Sequence, residues 1–224
     1  MKTVSLISLG CKVSQYESDA IGQELVKLGY NVYNHFCVAD YYILNTCAVT
    51  NEAERKSRNY LSKILTKNGN AKIIVCGCAS EHNQNQFLDN QNVIYVLGNN
   101  KKNKIASLLN SFQENISFER NQFVKLDLTY DEFSSMPQGK TRAYLKIQDG
   151  CNNFCSYCLI PFMRGRSRSR KLCSIVKEAE FLSQTNHEIV LTGINMSDYK
   201  IDGQLALQTV MESLKNIPSR IRIG

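Results

Sequence analysis

Nine cysteines stand in this 224-residue sequence, and six of them fall into two trios that could bind a metal. Cys151, Cys155 and Cys158 lie in the run GCNNFCSYC, a C-x3-C-x2-C loop directly after a β-rich stretch. Such a loop aims three thiolates at one point and is too short to add a fourth. A closed structural zinc site uses four protein ligands. A three-cysteine [4Fe–4S] cluster instead leaves one iron open to a small molecule; a zinc knuckle completed by a distant ligand such as Cys173 is the alternative. Cys11, Cys47 and Cys78 are 36 and 31 positions apart, which excludes a local motif. They share an address, because each follows an expected strand. Ligands of an open parallel sheet bind beyond the carboxyl ends of the strands, so three loops can converge there on a metal or an iron–sulfur cluster. The competing reading is three small core residues, since unbridged cysteine is among the most buried residue types.

The other chemistry-bearing residues are less telling. Cys76 stands two positions before Cys78 inside an expected strand and reads as core, while Cys37 and Cys173 receive no role. His35, His82 and His187 lack metal-ligand spacing with one another. The formal charge is +7, and the whole excess sits in residues 140–173, where eight cations face Asp149 alone. Within that segment the run RGRSRSRK places Arg164, Arg166, Arg168 and Arg170 at alternate positions just after the cysteine loop. Positive charge there suits phosphate contacts to RNA; a solvated basic loop is the plainer reading.

These residues need a scaffold. Hydrophobic residues at 43% and charged residues at 21% fall in the globular range, and no apolar run is long enough to span a membrane. The N-terminus reads as a buried strand rather than a signal peptide. With an odd cysteine count, that argues against a disulfide framework and for a cytoplasmic protein. Strands are expected at 3–9, 31–36, 41–44, 72–76 and 93–97. Helices are expected around Ile21–Leu28, from a Thr50 cap through Leu65, and from Ile105 through Phe112. Alternation of this kind implies an open, mostly parallel sheet of Rossmann or flavodoxin type with helices on both faces, ending near residue 115. Residues 116–140 are polar and aperiodic and read as a linker with a strand near Phe123–Leu126. From 141 the alternation resumes: a strand at 143–148, a helix at 174–183, a strand at 189–191, a helix at 205–214 and a last strand at 220–223.

The sequence resembles the methylthiotransferases of the radical S-adenosylmethionine superfamily. The resemblance rests on LGCKVSQYES (9–18), LNTCAVTNEAERKSR (44–58), VCGCAS (75–80), YLKIQDGCNNFCSYCLIPFMRGRSRSR (144–170) and EIVLTGIN (188–195). It is most similar to the branch acting on threonylcarbamoyladenosine in tRNA, because of GCKVSQYES at the first cysteine. It departs from that branch at Ser14, where Asn is usual, and at Asn195, where His is frequent.

The resemblance implies two [4Fe–4S] clusters, one on Cys11, Cys47 and Cys78 and one on Cys151, Cys155 and Cys158. Tyr157, Thr192 and Gly193 would contact S-adenosylmethionine. The implied reaction is 5′-deoxyadenosyl radical chemistry with two S-adenosylmethionine molecules, adding a methylthio group to carbon 2 of the modified adenosine next to the anticodon. Implied partners are tRNA and a flavodoxin- or ferredoxin-like electron donor, with no membrane, and the chain is expected to be a monomer. The alternatives are an isopentenyladenosine tRNA, a ribosomal-protein aspartate, or a non-catalytic iron–sulfur carrier or sensor. The implied fold after residue 140 is the first part of a radical-SAM partial TIM barrel. The resemblance also implies further barrel units and a C-terminal RNA-binding β-barrel, so the sequence reads as a fragment of a longer chain or a truncated product.

Overall fold

The computed structural model describes residues 1–114, 116, 119–121, 129–132, 134 and 141–224. The chain divides into two compact units, Met1–Leu126 and Asp127–Gly224. That division falls inside the 116–140 segment; the strand expected near Phe123–Leu126 lies outside the described residues.

In the first unit a five-stranded sheet is built from β1 (Thr3–Ser8), β2 (Asn31–Tyr33), β3 (Tyr41–Thr46), β4 (Lys72–Gly77) and β5 (Val93–Val96). Every pairing in it is parallel, in the order β2-β1-β3-β4-β5. This is the flavodoxin-like order, whose direction reverses between β1 and β3. β3 is buried along its whole length and β4 from Ile73 onward, which explains apolar runs without alternation. The helices are α1 (Lys12–Lys27), α2 (Asn51–Lys67), α3 (Cys78–His82), α4 (Asn85–Leu88) and α5 (Ile105–Gln113). Right-handed crossovers from a reversing strand order put α1 and α2 on opposite faces. The Thr50 side chain accepts the Ala53 N–H at 3.1 Å and caps α2, a bond type worth about 1 kcal/mol. α3 and α4 escape a periodicity reading because neither lasts two turns.

The second unit repeats one motif. β6 (Arg142–Lys146) leads through β7 (Gln148–Asp149), α6 (Ile160–Arg164) and β8 (Arg168–Ser169) to α7 (Leu172–Ser183) and β9 (Glu188–Thr192). A hairpin of β10 (Lys200–Ile201) and β11 (Gln204–Leu205) precedes α8 (Leu207–Leu214) and β12 (Arg220–Ile223). The parallel order β12-β9-β6 adds each strand on the same side, the progression by which a βα barrel starts to close. Leu145, Ile175, Ala179, Leu182, Ile189, Leu191, Val210 and Leu214 form the core between this sheet and helices α7 and α8.

The expected strand at 143–148 is broken at Ile147. Gln148 and Asp149 pair instead with Ser169 and Arg168 in an antiparallel ladder of their own. This ladder closes the loop 150–167 at its base. The expected helix at 205–214 starts two residues late, because Asp202 and Gly203, with φ of +50° and +82°, turn the β10–β11 hairpin first. Paired positive φ values at Asp-Gly are those of a type I′ turn.

Candidate functional site

The first trio hangs from adjacent strands. Cys11 is the N-cap residue of α1, three positions beyond β1; Cys47 directly follows β3; Cys78 directly follows β4 and opens α3. Since β1, β3 and β4 are neighbours, all three cysteines lie at the carboxyl edge of the sheet, with Cys11 and Cys47 flanking the point where the strand order reverses. Local contacts hold the edge together. The Leu9 N–H donates to the Asn45 carbonyl at 3.0 Å, and a Cβ on Gly10 would stand 3.8 Å from that of Cys47. Gly77 has φ of +107°, and a Cβ there would come 2.5 Å from the Thr46 carbonyl oxygen, so no other residue lets β3 and β4 end so close together. Cys47 and Cys78 are buried whereas Cys11 is exposed, which does not suit three core fillers.

A buried polar network reaches Cys78. Lys102, 1% exposed, donates to Glu17 Oε2 at 2.6 Å, to Asn99 Oδ1 at 3.1 Å and to Asn45 Oδ1 at 3.3 Å. Asn99 Nδ2 lies 3.6 Å from Cys78 Sγ. Sequence reasoning missed both ends of this network. Nothing in the polar run NNKKNK separates Lys102 from the exposed Asn103 and Lys104 that follow it, and Glu17 reads as an ordinary helix-surface acid.

The second trio sits in the loop that the β7–β8 ladder closes. Gly150 opens it with φ of +72°; a Cβ there would come within 2.1 Å of the Arg166 carbonyl oxygen. The Cys151 N–H donates to the Gly165 carbonyl at 3.1 Å and the Cys158 N–H to that of Cys155 at 2.9 Å. Cys155 is exposed, Cys151 and Cys158 partly so, so this trio does not serve as core packing. Gln148 ties the loop's base to the end of β9: its Oε1 accepts the Ile194 and Asn195 N–H groups at 3.0 and 2.8 Å. Asn195 Nδ2 in turn lies 3.9 Å from Cys151 Sγ. Thr192 is buried at the end of β9, and a Cβ on Gly193 would stand 2.8 Å from Met196 Cγ. Tyr157 projects into solvent, 89% exposed.

Among the described residues, no three His, Cys, Asp or Glu side chains stand close enough to hold one metal ion. A four-iron cluster spreads its thiolates around a larger body than a single ion does. The donor set, three sulfurs per site with glycines opening the turns at Cys11, Cys78 and Cys151, fits such a cluster by its softness.

The arginine run does not form the expected RNA patch. Arg164, Arg168 and Arg170 are 1%, 5% and 3% exposed. Arg164 donates to Asp149 at 3.0 and 3.2 Å, and Arg168 pairs with Asp149 at 3.4 Å. Arg170 pairs with Glu132 at 3.0 Å and with Glu178. The alternation that suggested a charged stripe instead turns Arg168 and Arg170 inward from an extended segment, and Arg164 inward from the end of α6, each onto carboxylates. Arg166 alone of the four is exposed, its guanidinium 4.2 Å from the centre of the Phe154 ring. The sequence held the signal, since Asp149 is the single acid amid eight cations. Cys76 is fully buried in β4, Cys37 partly exposed and Cys173 exposed on α7.

A parallel βα sheet whose first strand runs into a C-x3-C-x2-C loop defines the radical S-adenosylmethionine class of protein. The chain is similar in structure to a radical S-adenosylmethionine methyltransferase of Kitasatospora setae, with a TM-score of 0.63 over 99% of this chain and 54% of that one. Sequence identity between them is 14%, so the likeness is one of fold. Residues 3–98 match the uncharacterized protein family UPF0004. The chain is 38% identical to the threonylcarbamoyladenosine tRNA methylthiotransferase of Chlamydia pneumoniae, over 99% of this chain and 50% of that protein. It is 36% identical to the namesake of Thermotoga maritima, over 100% and 51%, and 32% identical to the ribosomal protein uS12 methylthiotransferase of Nostoc sp., over 96% and 50%. Over nearly its whole length the chain is thus similar to radical S-adenosylmethionine methylthiotransferases. It spans about half the length of the curated relatives it matches.

Proposed function

We propose that this chain supplies the cluster-binding part of an enzyme that adds a methylthio group to carbon 2 of threonylcarbamoyladenosine in tRNA. The observation that carries the reading is the pair of cysteine trios, each on a strand-end turn of its own unit, in a chain whose tRNA-modifying relatives match it at 36–38% identity. Cys151, Cys155 and Cys158 would hold the cluster that takes S-adenosylmethionine, and Cys11, Cys47 and Cys78 the cluster that carries sulfur. When bound, these groups supply the radical and the methylthio donor, chemistry that belongs to the cofactors.

The chain's own residues provide position. Asp149 and Gly150 fix the start of the loop, and Gln148 binds the backbone of Ile194 and Asn195 so that the turn after Gly193 faces it. Thr192 and Gly193 would give backbone contacts to the methionine end of S-adenosylmethionine and Tyr157 a contact from the loop. With most of the arginine run buried, RNA contact rests on Arg166 and on surfaces other than this run. An electron donor of flavodoxin or ferredoxin type, a monomeric state and a cytoplasmic location complete the proposal; no helix among the described residues is long and apolar enough to cross a membrane.

The uS12 methylthiotransferase match at 32% identity favours a second reading, a ribosomal-protein substrate with the same chemistry. Anaerobically reconstituted protein with S-adenosylmethionine and a reductant should release 5′-deoxyadenosine and methylthiolate tRNA bearing threonylcarbamoyladenosine, scored by mass spectrometry of digested nucleosides. Modification of uS12 or of isopentenyladenosine tRNA instead would move the substrate assignment. Two stable clusters without 5′-deoxyadenosine would leave a carrier or sensor.

A further inference from the structure

We propose that Asn99 is a positioning residue for the first-unit cluster, donating its side-chain N–H to the Cys78 sulfur in an orientation imposed by the buried ammonium of Lys102. The inference rests on the proposal that Cys11, Cys47 and Cys78 hold a cluster. Asn99 is 4% exposed in the turn after β5, and its own N–H donates to Glu81 Oε2 at 2.8 Å, which fixes the backbone of that turn.

An amide can face a sulfur with either end, as an N–H donor or as an oxygen acceptor. Lys102 decides between them. An ammonium only donates, so the amide end that faces Nζ at 3.1 Å must be Oδ1. Nδ2 is thereby the nearer end to Cys78 Sγ, at 3.6 Å against 3.8 Å for Oδ1, and a ligating thiolate, which can only accept, takes the Nδ2 N–H. Glu17, 1% exposed and 2.6 Å from Lys102 Nζ, balances the charge and holds the ammonium in place. The same ammonium reaches Asn45 Oδ1 at 3.3 Å, so that Asn45 Nδ2 donates to the Ser14 carbonyl and to Ser18 Oγ, both at 3.0 Å. One buried cation therefore orients two amides, one tying β3 to α1 and one aimed at a cysteine.

Buried lysine is rare and needs pairing. Burying Lys102 and Glu17 together stabilises the fold less than an apolar pair of the same volume often would. What the pair adds is a fixed direction for the Asn99 N–H. A donor to a ligand sulfur stabilises the added negative charge of a reduced cluster, and such bonds are among the determinants of cluster potential. Partners of this kind also hold ligands in place, and losing one typically costs about 10–100-fold in metal affinity or activity.

The test uses the full chain with Cys151→Ala, so that the first-unit cluster is observed alone. Asn99→Asp keeps the shape and the Lys102 contact but removes the donor; Asn99→Leu removes it without adding charge. Both variants should bleach faster in a chelator, by roughly 10-fold or more, and both should shift the midpoint in an electron-paramagnetic-resonance redox titration to more negative potential. Should one variant fail to fold by circular dichroism, the other carries the test. Parent-like bleaching and parent-like potential in a folded variant overturn the role of Asn99. If Cys47→Ala and Cys78→Ala lose no iron in that background, the cluster assignment itself fails, a separate result from the first.

Discussion

Asp149 is the position where a change of one atom type should cost most. Its carboxylate is 3% exposed and receives Lys146 Nζ at 2.6 Å and Arg164 at 3.0 and 3.2 Å, with Arg168 at 3.4 Å. Its Oδ1 also accepts the Gly150 N–H at 2.8 Å. Asp149→Asn preserves volume, but it removes the charge and turns one acceptor into a donor that faces cations. Removing one partner of a buried ion pair costs about 3–5 kcal/mol, and the bonds around this carboxylate are too coupled for their separate values to be added. Against a typical domain stability of about 5–15 kcal/mol, that is a large fraction. For a domain of roughly 100 residues, about 3 kcal/mol lowers the melting temperature by on the order of 12 °C or more. Urea and thermal unfolding of the whole chain by circular dichroism measure the loss. Lys200→Gln serves as the control, because it opens a half-exposed pair with Asp198 at 2.9 Å, worth about 0–1 kcal/mol. Adding Lys146→Met to Asp149→Asn should recover part of the loss by removing one stranded cation. An Asp149→Asn variant no less stable than Lys200→Gln would refute the buried-charge argument.

Further outcomes follow from the same geometry. Arg168→Gln should destabilise the second unit, while Arg166→Gln should leave stability unchanged, and unfolding curves of the two variants separate a buried from an exposed arginine. Cys151→Ala should remove one cluster's iron and all 5′-deoxyadenosine formation while Cys47→Ala removes the other cluster's iron and spares radical formation; iron analysis with product assays checks both. Gly150→Ala should weaken cluster retention and stability together, because its Cβ has no room beside the Arg166 carbonyl. Burial pushes the Tyr199 phenol up to about 12, above its ordinary value near 10. Between those values the unfolded chain loses the proton before the fold does, so stability falls as pH rises, by about 1.4 kcal/mol per pH unit. Stability measured from pH 9 to 12 should show that fall, and Tyr199→Phe should make it shallower, with the raised phenols of Tyr30, Tyr95 and Tyr130 supplying the remainder.

Much of the scaffold was legible because apolar runs and glycines punctuate it. Leu25, Leu28 and Gly29 mark the end of α1, Thr50 caps α2 as its type and place suggest, and the addresses of Cys11, Cys47 and Cys78 follow from strand ends alone. What escaped depends on three-dimensional partners. Alternate arginines look identical on a surface and in an interior until the position of the facing carboxylates is known. Lys102 reads as one lysine of a polar turn, and only the fold shows that its ammonium points toward Glu17. The break at Ile147 was invisible because Gln148 and Asp149 continue an extended pattern while changing partner strand. The Asp202-Gly203 turn carried a recognisable hairpin signal that the helical run after it obscured.

Cys11, Cys47 and Cys78 follow strands that come together only by pairing side by side, so no stretch of nascent chain can gather them. Condensation of β1, β3 and β4 must come first, and the cluster proposed there would clasp a frame already made. It would favour the folded form alone and stabilise it by mass action. The loop from Cys151 to Cys158 obeys the opposite order. Its thiols are near one another in any conformation of the chain, so iron can be captured before the barrel strands meet, as metal is in small domains that fold around it. Binding to the unfolded chain as well weakens the stabilisation that metal gives the fold. With both trios holding clusters as proposed, one polypeptide would set two schedules for the same kind of inorganic unit, late in the first half and early in the second.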